Sequence, residues 1–335
     1  MLRKIRLTLA ILFFACITLL FLDFTGSIHL WLGWMAKIQF LPALLALNLG
    51  IVALLVVLTL LLGRVYCSVI CPLGVFQDIV SWLNSRRKKK QKYRFSYSPA
   101  LSWLRYTMLG VFIVALVAGV GSLAALLAPY SSYGRIASNF FAPVYRWGNN
   151  LLAYFAERAD SYAFYETDVW LKSLPTFLIA LVTLVVIVVL AWRNGRTYCN
   201  TICPVGTVLG FLSRFALFRI TIDADKCNAC GLCSRQCKAA CIDSKTHQVD
   251  YSRCVACMDC IDTCKHDAIH YRLATSLPKA PTQSQSVSSP KKGAKDATRR
   301  SFLIATALVA TTALVKAQEK KVDWLPLRTR KFPTA

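Results

Sequence analysis

Cys227, Cys230, Cys233 and Cys237 stand in the spacing C-x2-C-x2-C-x3-C, and Cys254, Cys257, Cys260 and Cys264 repeat it. Three thiolates this close on a tight loop suit three corners of an iron–sulfur cubane. The fourth corner needs a thiolate from elsewhere, because the loop is too short to wrap the whole cluster. Structural zinc is the alternative. It usually takes two separated C-x2-4-C pairs around one tetrahedral ion, which two identical four-cysteine runs fit poorly. Cys241 is a ninth cysteine outside the pattern and reads as a spare buried thiol, with a ligand role as the alternative.

The segment around these runs is similar to bacterial two-cluster ferredoxins, in which the last cysteine of each run crosses to the other cluster. That arrangement assigns Cys227, Cys230, Cys233 and Cys264 to a first 4Fe–4S cluster, and Cys254, Cys257, Cys260 and Cys237 to a second. Where those ferredoxins carry proline after the fourth cysteine, this chain has Lys238 and Lys265. An ammonium group beside each cluster would favour the reduced, more negative state.

A second constellation lies upstream. GRVYCSVICPLG, beginning at Gly63, returns as GRTYCNTICPVG, beginning at Gly195. The likeness extends into Phe76, Ile79, Val80 and Leu83, matched by Val208, Phe211, Leu212 and Phe215, at the spacing of one helix face. Proline disfavours helix at the residue before it and suits the first turn of the next helix. Each copy therefore reads as a transmembrane helix, a C-x3-C-P turn at the cytoplasmic surface and a helix lying along the membrane: a tandem two-helix repeat. Cys67, Cys71, Cys199 and Cys203 can converge as one four-thiolate redox or metal site. Independent thiol couples, or cysteines that merely pack at a helix end, are the alternatives, and spacing alone does not choose iron, copper or neither.

The elements that must position these residues are membrane helices. Hydrophobic residues make up 56% of the 335-residue chain although its net charge is +24, and mean hydropathy is +0.48. The basic residues lie between apolar runs rather than over one soluble face, so the charge orients helices and does not mark a nucleic-acid partner. Four apolar segments, 7–22, 41–62, 106–127 and 174–192, each approach the ~20 residues that span a bilayer. No small-residue cleavage site follows the first, so it reads as a retained helix. Arg64, Arg86, Arg87, Lys88, Lys89, Lys90, Lys92, Arg94 and Arg105 follow the second span. In the loop after the third, Arg135, Arg146, Arg158 and Lys172 are balanced by Glu157, Asp160, Glu166 and Asp168. The positive-inside rule places the N-terminus and everything after Trp192 in the cytoplasm, where thiols stay reduced. The outward loop carries Tyr130, Tyr133, Phe140, Phe141, Trp147 and Trp170, which read as a headgroup-level belt or a quinone pocket.

Two C-x3-C-P motifs after membrane helices, followed by a two-cluster segment, resemble the NapH/NosR/CcoG group of membrane iron–sulfur proteins, and most closely the NapH-type quinol dehydrogenase subunits. The resemblance covers roughly residues 7–272. It implies an inner-membrane, multi-pass protein relaying electrons from quinol or a cytoplasmic donor toward a periplasmic reductase, through partner proteins. The CcoG branch implies instead a copper-reducing assembly factor for a haem–copper oxidase, in which Cys67, Cys71, Cys199 and Cys203 meet the metal. A membrane redox sensor is a third reading. With only His29 in the membrane part and no C-x-x-C-H, the chain cannot assemble a bis-histidine or covalent haem.

The expected organisation is a helical membrane domain over 1–218 and a small α+β two-cluster ferredoxin-like domain over 219–272, closed by strands at Ile220, Ile222, Ile269 and Tyr271. A Ser/Pro/Lys-rich linker follows over 273–298, and then a twin-arginine-like apolar segment and tail over 299–335.

Overall fold

The computed structural model describes residues 2–23, 26–85, 95–158, 165–169 and 173–274. Most of the basic residues expected in the loop after the second span, together with Asp160, Trp170, Lys172, the linker from residue 275 and the twin-arginine-like segment, lie outside the described residues. Residues 110–124 belong with a second unit and form its described part.

Helix α1 (Leu2–Leu22) and helix α11 (Leu174–Asn194) each have 21 residues and are long and apolar enough to cross a membrane. At 1.5 Å per residue that is about 31 Å, against a hydrocarbon core of ~30 Å. The other two expected spans are interrupted. After α2 (Ser27–Lys37) and α3 (Phe40–Leu45), Leu47 takes a positive φ, and Asn48 caps α4 (Leu49–Leu62) by accepting from the Ile51 N–H at 3.4 Å. α4 therefore keeps 14 residues. In the third segment α7 (Ser102–Val117) stops before Gly119, whose φ of +72° glycine tolerates without a Cβ penalty, and α8 (Gly121–Leu127) begins beyond it.

The two C-x3-C-P copies fold alike. α4 leads through Gly63 into the short α5 (Val65–Val69), the Cys71–Pro72 turn and α6 (Pro72–Ser85). α11 leads through Gly195 into α12 (Thr197–Thr201), the Cys203–Pro204 turn and α13 (Pro204–Leu212). In α6 the faces are distributed unlike those of a soluble amphipathic helix. Its polar residues Gln77, Asp78, Ser81 and Asn84 are buried, while Ile79, Trp82 and Leu83 are exposed by 37%, 47% and 50%. The helix keeps its 3.6-residue period, but its polar residues turn inward with Val75 and Val80, Asp78 toward buried arginines, Gln77 toward Cys199 and Asn84 toward the Trp192 carbonyl.

The expected outward loop is largely helical: α9 (Pro129–Ile136), a π turn (Ala137–Phe141) and α10 (Ala142–Arg158). Its aromatics do not form one belt. Tyr133 is fully buried against Phe14, with ring centroids 5.4 Å apart, whereas Trp147 is exposed.

The cysteine-rich segment is a small α+β module. Strand β1 (Phe218–Ile222) precedes α14 (Leu232–Gln236), a two-residue hairpin pair β2 (Ile242–Asp243) and β3 (Gln248–Val249), α15 (Asp259–Thr263) and β4 (Ile269–Leu273). β1 and β4 pair antiparallel with Ile220 opposite Tyr271 and Ile222 opposite Ile269. The strands expected at these four residues therefore close the module on itself.

Candidate metal centres

The two cysteine runs fold as copies of each other. Ala229 and Ala256 both take positive φ, as do Gly231 and Met258, and Ala240 and Asp267, all at the offset that relates Cys227 to Cys254. Left-handed residues bend each run tightly enough to turn successive cysteines toward one side, at a strain that non-glycine residues hold only when their surroundings over-determine it. Cys233, Cys237, Cys241 and Cys260 lie in one core with Ile220, Ile242, Met258 and Ile269, and Cys254 and Cys264 pack against it.

The two expected ligand sets differ in burial. Cys230 is exposed and Cys227 and Cys264 half-buried, whereas Cys237, Cys257 and Cys260 are buried. Cys237 comes within electrostatic reach of Cys254, Cys257 and Cys260, the three cysteines it was expected to join. Burial pushes the Cys257 thiol up to about 12, and Asp259 adds to it. Cys237 goes the other way, to about 7, through hydrogen bonds from the Cys241 thiol and from nearby backbone N–H groups, against its burial.

Cys241 is more than a spare thiol. Its sulfur lies 3.5 Å from that of Cys237, and it also hydrogen-bonds Cys254. At the matching place in the other run stands Ala268, whose backbone N–H donates to Cys264 Sγ at 3.4 Å.

The donor sets fit clusters. Each is thiol only, and among the described residues no three of His, Cys, Asp or Glu converge tightly enough for a single ion. A cubane does not require that convergence, since its thiolates sit on separate irons.

The structure also gathers Cys67, Cys71, Cys199 and Cys203, all buried, with Cys203 in electrostatic reach of the other three. Reciprocal arginines hold the two copies together. Arg64 of the first donates to the Cys199 carbonyl at 3.3 Å, and Arg196 of the second donates to the Cys67 carbonyl at 2.6 Å. The glycine two residues after each proline makes the approach feasible. A Cβ on Gly74 would fall on the Cys67 carbonyl, with Arg196 Nη1 2.9 Å away; one on Gly206 would fall on the Cys199 carbonyl, with Arg64 Nη2 2.9 Å away. Gln77 donates to Cys199 Sγ at 3.4 Å, and Arg64 approaches Cys67 Sγ at 3.8 Å.

The thiol quartet and the cysteine-run module meet at these arginines. Arg64 also donates to the Asn200 side chain at 2.8 Å and to the Ser252 carbonyl at 3.1 Å, and Arg105 donates to both oxygens of Ser252. On the other flank Arg196 forms two hydrogen bonds to Asp78, at 3.0 and 2.7 Å. Arg6 also pairs with Asp78. Lys238 lies 3.7 Å from Asp78 and 3.0 Å from Asp259. Arg3 pairs with Asp259 at 2.9 Å. Among the described residues neither Arg64 nor Arg105 forms an ion pair with a carboxylate, and the Nε of each lacks a hydrogen bond; Arg105 feels the charge of Asp250 at longer range. Burial, and Arg64 next to it, lower Arg105 to about 10. Uncompensated buried cations are costly. An anionic centre beside Cys67 and Cys254 would offset them.

Sequence reasoning singled out the cysteines and missed Arg64, Arg196, Gly74, Gly206 and Asp78. The signal was there for four of them, because the repeated stretch contains those arginines and glycines as well as the cysteines. Asp78 lies beyond it, and the second copy has Gly210 at its place. His29 is exposed, His266 lies 2.9 Å from Asn228, and His270 lies 3.5 Å from Asp223.

A family model described as a 4Fe-4S binding domain matches residues 44–91 and again 176–222, the two C-x3-C-P stretches, and a second of that description matches residues 247–270. The ferredoxin-type protein NapH of Escherichia coli is 28% identical over 235 residues, 68% of each chain. The putative electron transport protein YccM of the same organism is 25% identical over 228 residues, 67% of this chain and 55% of that one. The methylamine utilization ferredoxin-type protein MauN of Paracoccus denitrificans is 28% identical over 198 residues, 58% of this chain and 54% of that one. The chain thus spans little more than half the length of YccM and MauN. No solved structure matches it. By its relatives and its 4Fe-4S domains the chain matches ferredoxin-type proteins of the NapH/NosR kind.

Proposed function

We propose that this protein is a multi-pass membrane iron–sulfur relay, carrying electrons from quinol or a cytoplasmic donor toward a periplasmic acceptor through partner proteins. In this reading residues 1–218 form the membrane domain and residues 219–272 a cytoplasmic two-cluster domain. Cys227, Cys230, Cys233 and Cys264 hold the outer cluster, and Cys254, Cys257, Cys260 and Cys237 the inner one. Cys67, Cys71, Cys199 and Cys203 form a further redox or metal site. Residues 273–298 are the linker and 299–335 the twin-arginine-like tail.

One observation carries the reading. Three of the first set, Cys227, Cys230 and Cys264, reach the surface, while three of the second, Cys237, Cys257 and Cys260, are buried on the side where the Lys238 and Ser252 carbonyls meet the arginines that clamp the thiol quartet. An exposed entry point, a buried second centre and a third site behind it make a wire rather than a sensor with a single readout. The relatives named as ferredoxin-type and electron transport proteins support it.

Metal analysis and EPR test this function. The two runs should account for about eight irons and eight acid-labile sulfides. Cys237→Ser should alter the signal of the inner cluster, and Cys264→Ser that of the outer one. A preparation dominated by zinc would sink the proposal, and each substitution affecting only its own run's cluster would overturn the crossed ligation.

A further inference from the structure

The depth of the thiol quartet follows from two helices that run in opposite directions. On α1, Arg3 reaches Asp259 and lines one cavity with Ser81, Trp82 and Ser85 of α6; Arg6 pairs with Asp78; and Phe14, Thr18 and Phe21 meet Tyr133. On α6 the same order runs backward, since Phe76, closer to the start of that helix than Asp78, packs on the same Tyr133 with ring centroids 6.3 Å apart. α6 is therefore antiparallel to α1. At 1.5 Å per residue, Pro72 lies about 9 Å beyond Asp78, which sets the Cys71–Pro72 turn level with about Leu12, the middle of α1. The reciprocal arginine clamp holds the Cys203–Pro204 turn beside it.

Two independent features agree with that depth. The outward face of α6 is apolar, through Ile79, Trp82 and Leu83, while its polar residues Gln77, Asp78, Ser81 and Asn84 turn inward beside Val75 and Val80, the arrangement expected of a helix surrounded by hydrocarbon rather than lying on water. α9 also reaches the turns from the far end of α1. Tyr133 shares a 2.6 Å hydrogen bond with Thr18, and Ser132 hydrogen-bonds Tyr198, the residue before Cys199.

From this geometry we infer that the two C-x3-C-P segments are re-entrant hairpins whose four thiols form an electron stop midway across the membrane. The inner cluster's loops approach it from one side and α9 from the other. This rests on the membrane-relay reading. The group it suits is a third iron–sulfur centre, because the donor set is four thiols with Arg64 as an uncompensated cation beside them. One electron leaves the inner cluster, which is oxidised, and is taken up at the quartet. It then passes to a one-electron acceptor of the redox-protein class on the face of α9 and α10. No atom is transferred.

Proteoliposomes holding the full chain, with cytochrome c trapped inside and dithionite added outside, test the step. The wild type should reduce the trapped cytochrome. Cys71→Ser and Cys203→Ser should each slow that reduction at least tenfold while the EPR signals of the two run-bound clusters persist. A second readout does not depend on turnover. The EPR signal lost on Cys71→Ser should stay unbroadened by an impermeant dysprosium chelate on either face, whereas the signal lost on Cys230→Ser should broaden from one face. Intact run clusters with unchanged cytochrome reduction in both variants, or a quartet signal broadened from one side, overturns the inference and leaves the relay standing. Absence of the run clusters themselves would mean that the relay reading has failed.

Discussion

Asp78 and Gly210 occupy the same place in the two C-x3-C-P copies, at the offset that relates Gly63 to Gly195. Around them the copies are close to interchangeable. Each arginine grips the other copy's cysteine carbonyl, and each glycine two residues after the proline leaves room for the grip. At this one place the first copy presents a carboxylate that collects Arg196, Arg6 and Lys238. The second presents no side chain: a Cβ on Gly210 would stand 2.5 Å from the Ser252 carbonyl and would strike Arg105. Both Lys238 and Ser252 belong to the cysteine-run module. The repeat is thus preserved where its halves face each other and broken where an asymmetric module docks on them.

Removing the carboxylate should have the largest effect. Asp78→Asn leaves the side chain of Arg196, 1% exposed, and that of Arg6 without the carboxylate that pairs them, while Lys238 keeps Asp259. Breaking a buried pair in this way costs about 3–5 kcal/mol, most of it from the stranded cation. Thermal unfolding in detergent should show a large drop in midpoint. A drop no larger than that of an exposed substitution such as Asp225→Asn would mean that the network is not structural.

Glycine positions give a smaller and sharper contrast. Gly63 and Gly195 both have positive φ, so alanine is strained at either. Only at Gly195 would the Cβ also collide, 2.5 Å from the Lys238 carbonyl, which accepts the Arg196 N–H at 2.8 Å; at Gly63 it would meet open space. Gly195→Ala should therefore destabilise by about 1–3 kcal/mol more than Gly63→Ala, the range for overpacking. Equal losses would show that the module does not rest on the second copy.

These contrasts mark how far the sequence could be read. The regular cysteine spacing made it legible that the two runs are copies, as the matching left-handed residues show, and so was the repeat that contains Arg64 and Arg196. The direction of α6 was not. Apolar periodicity at Phe76, Ile79, Val80 and Leu83 fixes a helix but cannot tell water outside from lipid outside, and only the buried partners of Asp78 settle which face turns inward. The breaks in the second and third spans were hidden for a different reason. Leu47 and Asn48 carry no strong stop signal in an apolar run, and Gly119 is tolerated within helices as well as beyond them. Burial of Tyr133 depended on α9 folding back, a tertiary contact that no local pattern encodes.

The smallest effect concerns the other internal repeat, in which Lys238 and Lys265 each follow the fourth cysteine of a run. Sequence placed an ammonium group near each cluster, but the surroundings differ. Lys265 is exposed, whereas Lys238 is held between Asp78 and Asp259, and its charge is felt at Cys257. The two aspartates do not cancel the prediction for Lys238, because they remain when the lysine is removed and one full positive charge is still lost. Reduction adds a negative charge, so losing a nearby positive one lowers the midpoint potential. At an effective dielectric near 20 and ~8 Å, the interaction is about 2 kcal/mol, or about 90 mV for one electron before screening. Burial limits screening at Lys238, while solvent and salt remove most of the interaction at Lys265. Redox titration followed by EPR should find the inner cluster lowered by a few tens of millivolts in Lys238→Gln, and the outer cluster scarcely moved in Lys265→Gln. Equal shifts in the two variants would mean that docking against Asp78 does not set the inner cluster apart. A raised potential in Lys238→Gln would mean that the released aspartates reorganise and take up protons or cations in place of the lysine.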